Sequence, residues 1–417
     1  VKLSVHDQVA VQQRGAMADC LSCWKPPLSA AVQGVLSSVI KPKSVKPLET
    51  AGVGDKRRFI IAFCGSGTGH LIQALSVVKI LQKAGMVLTG VVADTDANER
   101  MMRDMVEPLG VEVLTLPAIK LVDGEKGMVF LPLVLQNTLQ VKGKIGRMHE
   151  EISGFLKRSQ PAFIVTFWHI TFAHFLRCNP LPPEIKVLHI AAQFGHLRLE
   201  NSQLHSPIEV ITKATMEVMA AEFVSSGPCI TISPKDLPDS LPPILEVPRP
   251  VESMTPRLIL CYFLVQHDAA TLEKILAKHG TGGVEFHCFT SKPLPEPKGR
   301  KLALHSHAKQ RALFQELFAK CTGVIVSTGN ETIWEAVCRG VPVLTIPTDQ
   351  HGEQLLNAST HTVNFPKLVR ARNRLRIEDI RWVSEYQLDG AAVEESNILR
   401  SRVTSLAENG STLLAIP

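Results

Sequence analysis

Three small residues, Ser327, Thr328 and Gly329, stand between an apolar run and a helical pattern. Residues of that size let a backbone turn approach a ligand closely, and the free N–H groups and dipole of the following helix favour an anion such as a diphosphate. Glu335 lies about one turn into that helix, where its carboxylate can accept hydrogen bonds from a ribose diol. A second apolar run, 343–346, leads to Asp349 and Gln350, a carboxylate and an amide suited to sugar hydroxyls. Gln354 and Asn357 follow one and two turns further on. Near the other end of the chain, Phe59-Ile60-Ile61-Ala62-Phe63-Cys64 leads into Gly65-Ser66-Gly67-Thr68-Gly69-His70. Gly67 and Gly69 permit close approach of a substrate. His70 falls in the first turn of a helix, where the dipole disfavours imidazolium, so it should stay neutral and able to take a proton from a hydroxyl.

These residues need a scaffold that brings strand ends together. The continuous apolar run 59–64 reads as a strand buried on both faces. Leu71, Ala74, Leu75, Val78 and Leu81 then recur at helical spacing until Gly85. Strands are expected at 87–93, 111–116, 163–166 and 186–192. From Pro234 to Pro256 the chain is too rich in proline for a helix or central strand. The alternation restarts with strands at 258–264, 284–289, 323–327 and 343–346, and helices at 269–278, 310–319 and 332–339. Strands alternating with helices predict an α/β fold of two doubly wound, Rossmann-like domains facing a cleft, with ligands at the carboxyl ends of the strands. The expected boundaries are 1–57 for a disordered leader or transit peptide, 58–235 for an N-terminal α/β domain, 236–256 for a proline-rich linker, and 257–417 for a C-terminal α/β domain with a helical tail.

Bulk composition agrees with this organisation. At 417 residues with 45% hydrophobic and 20% charged residues, the chain can bury sizeable cores and does not have a disordered composition. Only 5% is aromatic, which predicts aliphatic cores. A net charge of +6 without a dense basic block argues against nucleic acid as a partner. Nine cysteines, mostly isolated in apolar runs, read as thiols of a reducing compartment, either the cytoplasm or an organelle if residues 1–57 are a transit peptide. Cys20-x-x-Cys23 lacks the second ligand pair that zinc requires. No run reaches the length of a membrane span, so contact with a membrane is expected to be peripheral at most.

The order Ser-Thr-Gly-x-x-Thr-x-x-Glu over 327–335, then Gly-x-Pro-x-Leu-x-x-Pro over 340–347, then Asp349-Gln350 and Glu353-Gln354-x-x-Asn357-Ala358 resembles the donor-binding half of GT-B glycosyltransferases. It looks most similar to those related to the bacterial lipid-linked peptidoglycan N-acetylglucosaminyltransferase. The loop Gly65, Gly67, Thr68, Gly69 and His70 resembles their N-terminal glycine loop. The resemblance implies an enzyme that moves a sugar from a nucleotide diphosphate sugar, usually a uridine diphosphate sugar, to an acceptor hydroxyl, with inversion and without a metal. The donor is implied to lie in the C-terminal domain: Glu335 on the ribose, Ser327, Thr328 and Gly329 on the diphosphate, and Asp349, Gln350, Gln354 and Asn357 on the transferred sugar. His70 would be the catalytic base, and the N-terminal domain would bind the acceptor, a lipid or small molecule. No cofactor beyond the donor substrate is implied.

Several residues have plainer readings. Thr332-x-x-Glu335 also fits a helix capping box. Glu331 would repel a diphosphate and is expected to point away from it. Asp94-Thr95-Asp96 matches a short metal-binding pattern but ends a strand of a doubly wound sheet, so no metal role is assigned. His305 and His307 read as loop residues, and Met128-Val129-Phe130-Leu131-Pro132-Leu133-Val134-Leu135 as a buried helix. Rival functions are a sugar-nucleotide epimerase of the same fold and a non-catalytic sugar-nucleotide-binding subunit. A Rossmann dehydrogenase is disfavoured because the loop lacks its third glycine or alanine.

Overall fold

The structure, a computed structural model, describes residues 55–65, 69–94, 102–117, 144–246, 257–295 and 303–413. Residues 1–54 of the expected leader, with Cys20 and Cys23, the loop residues Ser66, Gly67 and Thr68, Thr95 and Asp96, and the apolar stretch 128–135 lie outside these residues.

The first half is built from β1 (Arg58–Phe63), α1 (Gly69–Lys83), β2 (Val87–Asp94), β3 (Glu112–Leu116), α2 (Ile145–Ser159), β4 (Phe163–Phe167), α3 (Ile170–Cys178), β5 (Lys186–Ala191), α4 (Gln193–His196), α5 (Pro207–Val224), β6 (Cys229–Ile232) and β7 (Ser240–Leu241). The second contains β8 (Leu258–Tyr262), α6 (Gln266–His279), β9 (Glu285–Thr290), β10 (Leu304–Ala308), α7 (Arg311–Lys320), β11 (Gly323–Val326), α8 (Asn330–Cys338), β12 (Val343–Thr345), α9 (Gly352–Asn364), β13 (Val369–Ala371), α10 (Ile377–Glu385) and α11 (Gly390–Leu413).

Each half is one parallel sheet, in the order β3-β2-β1-β4-β5-β6-β7 and β10-β9-β8-β11-β12-β13. The chain winds outward in both directions from the first strand of each sheet, so each sheet reverses direction at its centre. The crevices open there, at the carboxyl ends of β1 and β4 and of β8 and β11. Helices cover both faces, which explains why β1 and β11 are apolar without alternation: Phe59, Ile60, Ile61, Ala62 and Phe63 are all buried, as are Val324, Ile325 and Val326. On α1, Leu71, Ala74, Val77, Val78 and Leu81 form the buried stripe. Each such aliphatic side chain contributes about 1.5–3 kcal/mol when fully buried. The cores are less aliphatic than composition suggests, because Phe155, Phe172, Phe175, Phe223, Phe263, Phe286 and Phe289 are also fully enclosed.

Two expectations need correction. His305 and His307 belong to β10, an edge strand whose register places His307 beside Phe289. The stretch expected to be wholly linker begins as the edge strand β7, paired with β6 at Thr231 and Ile232. Prolines are tolerated there because an edge strand needs only one row of hydrogen bonds.

The last helix joins the halves. Along α11, Ser396 Oγ and Arg400 Nε donate to the Cys338 carbonyl at 3.0 and 2.9 Å. Further on, Arg402 Nη1 donates to the Ser233 carbonyl of the first half at 3.2 Å. After a kink at Asn409, Gly410 lies against Ile80 of α1, where an added Cβ would come within 2.7 Å.

Candidate active site

At the first crevice, the end of β2 holds the start of the glycine loop: Gly65 N–H donates to Asp94 Oδ2 at 2.8 Å. Asp94 Oδ1 lies 3.3 Å from Nε2 of the fully buried His169, which caps α3 by accepting the Phe172 N–H. Asp94 is therefore held within the fold by the loop and a capping histidine. Among the described residues, no group of three or more His, Cys, Asp or Glu is placed to hold a metal ion.

His70 stands in the first turn of α1. Burial lowers its pKa, with the Gln193 hydrogen bond and the Asp94 charge opposing that shift. Its Nε2 lies 3.2 Å from Gln193 Nε2 and 3.4 Å from Gln193 Oε1. The same amide donates to Glu353 Oε1 at 3.0 Å, so Gln193, itself buried, ties His70 to the first turn of α9 across the cleft. Nearby, His196 Nε2 and Asn357 Oδ1 are 2.9 Å apart. A Cβ on Gly352 would fall 1.7 Å from Thr212 Oγ1, so only glycine lets α9 approach α5 this closely.

The second crevice is a mesh of neutral groups. Ser327 Oγ accepts from Leu264 N–H at 3.0 Å, pinning the β8 and β11 ends together. Thr328 Oγ1 and Thr345 Oγ1 are 2.6 Å apart and fully buried. Gln354 Oε1 accepts from Thr348 N–H at 2.7 Å and Thr328 N–H at 3.3 Å, while Asn357 Nδ2 donates to the Thr328 carbonyl at 3.3 Å. Ser327, Thr328, Gln354 and Asn357 thus shape the turn with their polar atoms. Gly329, the N-cap of α8, has φ −91° and nothing within 4 Å of an added Cβ, so neither backbone nor packing requires glycine there.

Because α8 begins at Asn330, Thr332 sits inside the first turn and is not the cap, which removes the capping-box reading of Glu335. The Glu335 carboxyl is half-buried, and burial, reinforced by the Glu331 charge, pushes its pKa up to about 7. Asp349 and Gln350 are exposed in the turn before α9, with Gln350 at φ 58°. Glu331 points across the cleft: Gln73 Nε2 donates to its Oε1 at 2.5 Å, and its carboxylate lies 2.6 Å from where a Gly69 Cβ would stand. A side chain at Gly69 would have to displace the Glu331 carboxylate from its place beside Gln73.

Sequence reasoning singled out neither Glu353 nor Gln193. Glu353 is the first residue of the quoted Glu-Gln-x-x-Asn-Ala pattern, and burial pushes its pKa up to about 7 despite the Gln193 hydrogen bond. Gln193 follows β5 at its carboxyl end, where ligands of parallel sheets gather. A surface cavity of about 630 Å³ lined by Arg370, Arg372 and Trp382 lies apart from this arrangement, on β13 and α10.

No family model matches this sequence, and a search of curated proteins finds no match. Solved structures do match in fold. The calicheamicin glycosyltransferase CalG4 is 15% identical, with a TM-score of 0.57 over 86% of this chain and 98% of its own. LpCGTa, solved with UDP, has a TM-score of 0.57 at 15% identity, covering 86% and 97%. The Streptomyces sp. SF2575 glycosyltransferase SsfS6, solved with thymidine diphosphate, has a TM-score of 0.52 at 16% identity, covering 86% and 100%. The two facing parallel-sheet domains of this chain have the GT-B fold of these glycosyltransferases.

Proposed function

We propose that the protein transfers a sugar from a nucleotide diphosphate sugar, a uridine diphosphate sugar by the motif resemblance, to an acceptor hydroxyl. One observation carries this reading: the Ser327–Gly329 turn and the α8 start face His70 across a cleft that Gln193 and Glu353 bridge. The N–H groups at the start of α8 suit a diphosphate, and Gly329, which neither backbone nor packing requires, leaves room for it. Glu335, one turn on, takes the ribose diol. His70, neutral through burial, removes the proton from the acceptor hydroxyl as its oxygen bonds to the anomeric carbon. The bond from that carbon to the diphosphate breaks on the opposite face, giving inversion, and the leaving diphosphate keeps the electron pair. Glu353, at the mouth of α9, is placed for sugar hydroxyls alongside Asp349 and Gln350.

The neighbours SpnG, solved with spinosyn aglycone, and CalG4 are natural-product glycosyltransferases, which supports a small-molecule acceptor. A kinship with peptidoglycan transferases rests on the motif order alone. Thermal stabilisation by a panel of nucleotide sugars tests the reading, and a uridine diphosphate sugar should raise the melting temperature most. Stabilisation by none of them defeats it. Donor turnover to a new sugar nucleotide without an acceptor would favour the epimerase instead.

A further inference from the structure

At the end of α3 remote from the cleft, three reactive groups converge. His174 and Cys178 occupy i and i+4 positions on one face of α3, and Glu222 comes from α5. Cys178 Sγ lies 3.6 Å from His174 Nε2, and His174 Nδ1 lies 3.0 Å from Glu222 Oε2. Arg177 Nε holds the same Glu222 oxygen at 2.8 Å, fixing the carboxylate from the other side. This is a nucleophile, a base and an orienting acid in sequence. His174 and Glu222 are largely enclosed, with side chains 12% and 13% exposed, while Cys178 is partly exposed and can be reached from solvent.

The groups around the sulfur hold His174 in its protonated form. Burial opposes protonation of His174, but the Cys178 and Glu222 side chains outweigh it and raise its pKa to about 9. His149, facing the cluster from α2, is lowered to about 4 by burial and the His174 charge, so it adds no competing charge. Arg177 adds a second cation on α3. The carboxyl end of the helix dipole opposes a thiolate, and the imidazolium at 3.6 Å offsets it. Burial pushes the Cys229, Cys288 and Cys338 thiols up to about 12 and Cys321 up to about 11.

We propose that Cys178 is a nucleophilic thiol that forms a mixed disulfide with small-molecule disulfides, activated by His174 and oriented through Glu222. His174 already carries its proton, so the Cys178 proton leaves to solvent and the imidazolium stands beside the thiolate that remains. The Cys178 sulfur then attacks one sulfur of the disulfide, a new S–S bond forms as the old one breaks, and the departing thiolate takes up a proton from solvent. The site is separate from the cleft, since α3 runs about 13 Å from its His169 cap to Cys178.

The test treats the full chain with limiting glutathione disulfide and maps the modified peptides by mass spectrometry across a pH series. At about two units below the ordinary thiol value, Cys178 should react at least about tenfold faster than Cys229, another partly exposed thiol and one whose titration burial pushes up. His174→Gln should slow Cys178 by about tenfold at that pH and restore an ordinary thiol profile, and Glu222→Gln should slow it less. If Cys178 reacts no faster than Cys229, or if its pH profile in the unaltered protein is that of an ordinary thiol, the proposal is overturned. The second result comes from the native chain and does not depend on either variant folding.

Discussion

The two crevices share a strand order and differ in chemistry. At the first, His70, Asp94 and His169 meet around the glycine loop. At the second, Ser327, Thr328, Thr345, Gln354 and Asn357 are neutral and bonded mainly to one another and to backbone, with the carboxyls of Glu331, Glu335 and Glu353 on the helices beside them. A proton can be moved only where a side chain can change its charge. An anion can be held by fixed dipoles, which need no rearrangement when charge develops. The fold thus presents a wall with a titratable histidine opposite a donor wall whose turn and helix start offer fixed dipoles with carboxyls beside them, and the proposed transfer uses both.

The sharpest way to break this comparison is to remove the titratable wall. His70→Ala should lower kcat by about 10²–10⁴-fold, with donor affinity unchanged in calorimetry. An equal fall in affinity would show that His70 serves the donor wall instead. Next, Glu335→Ala should weaken uridine diphosphate binding by about 10- to 100-fold, as expected for losing a charged hydrogen-bond partner worth about 1.5–3 kcal/mol. Unchanged affinity would end its assignment to the ribose.

The smallest effect concerns stability against pH. Glu335 and Glu353 are raised from 4.5 to about 7 in the folded chain. Between those values the folded state holds protons that the unfolded state has released, so stability falls as pH rises from about 4.5 to about 7 and levels off above. Glu353→Gln should flatten part of that slope in denaturant titrations. An unchanged slope would place the burden on Glu335 alone.

The parts legible in sequence are those whose signal is local. A doubly buried strand followed by small residues and an amphipathic helix marks both crevices, and the structure places β1, α1, β11 and α8 where that pattern points. β10 was hidden because Leu304-His305-Ser306-His307-Ala308 carries polar residues at an edge, where alternation gives no apolar face. The bridge across the cleft was hidden for a different reason. Gln193 and Glu353 are 160 residues apart, and Gln73 and Glu331 are 258 apart, so nothing near either residue records its partner. The partner of Glu331 was hidden in the same way. The amide waiting on α1 was not visible from α8.

The chain passes between the halves twice, once after β7 and again along α11, whose kink at Asn409 precedes its rest against Ile80. A body attached at one point can swivel in any direction, whereas one attached at two points can swing only about the line through both. With two crossings, the contacts of α9 with α4 and of α8 with α1, Glu353 to Gln193 and Glu331 to Gln73, have two attachments between the halves behind them.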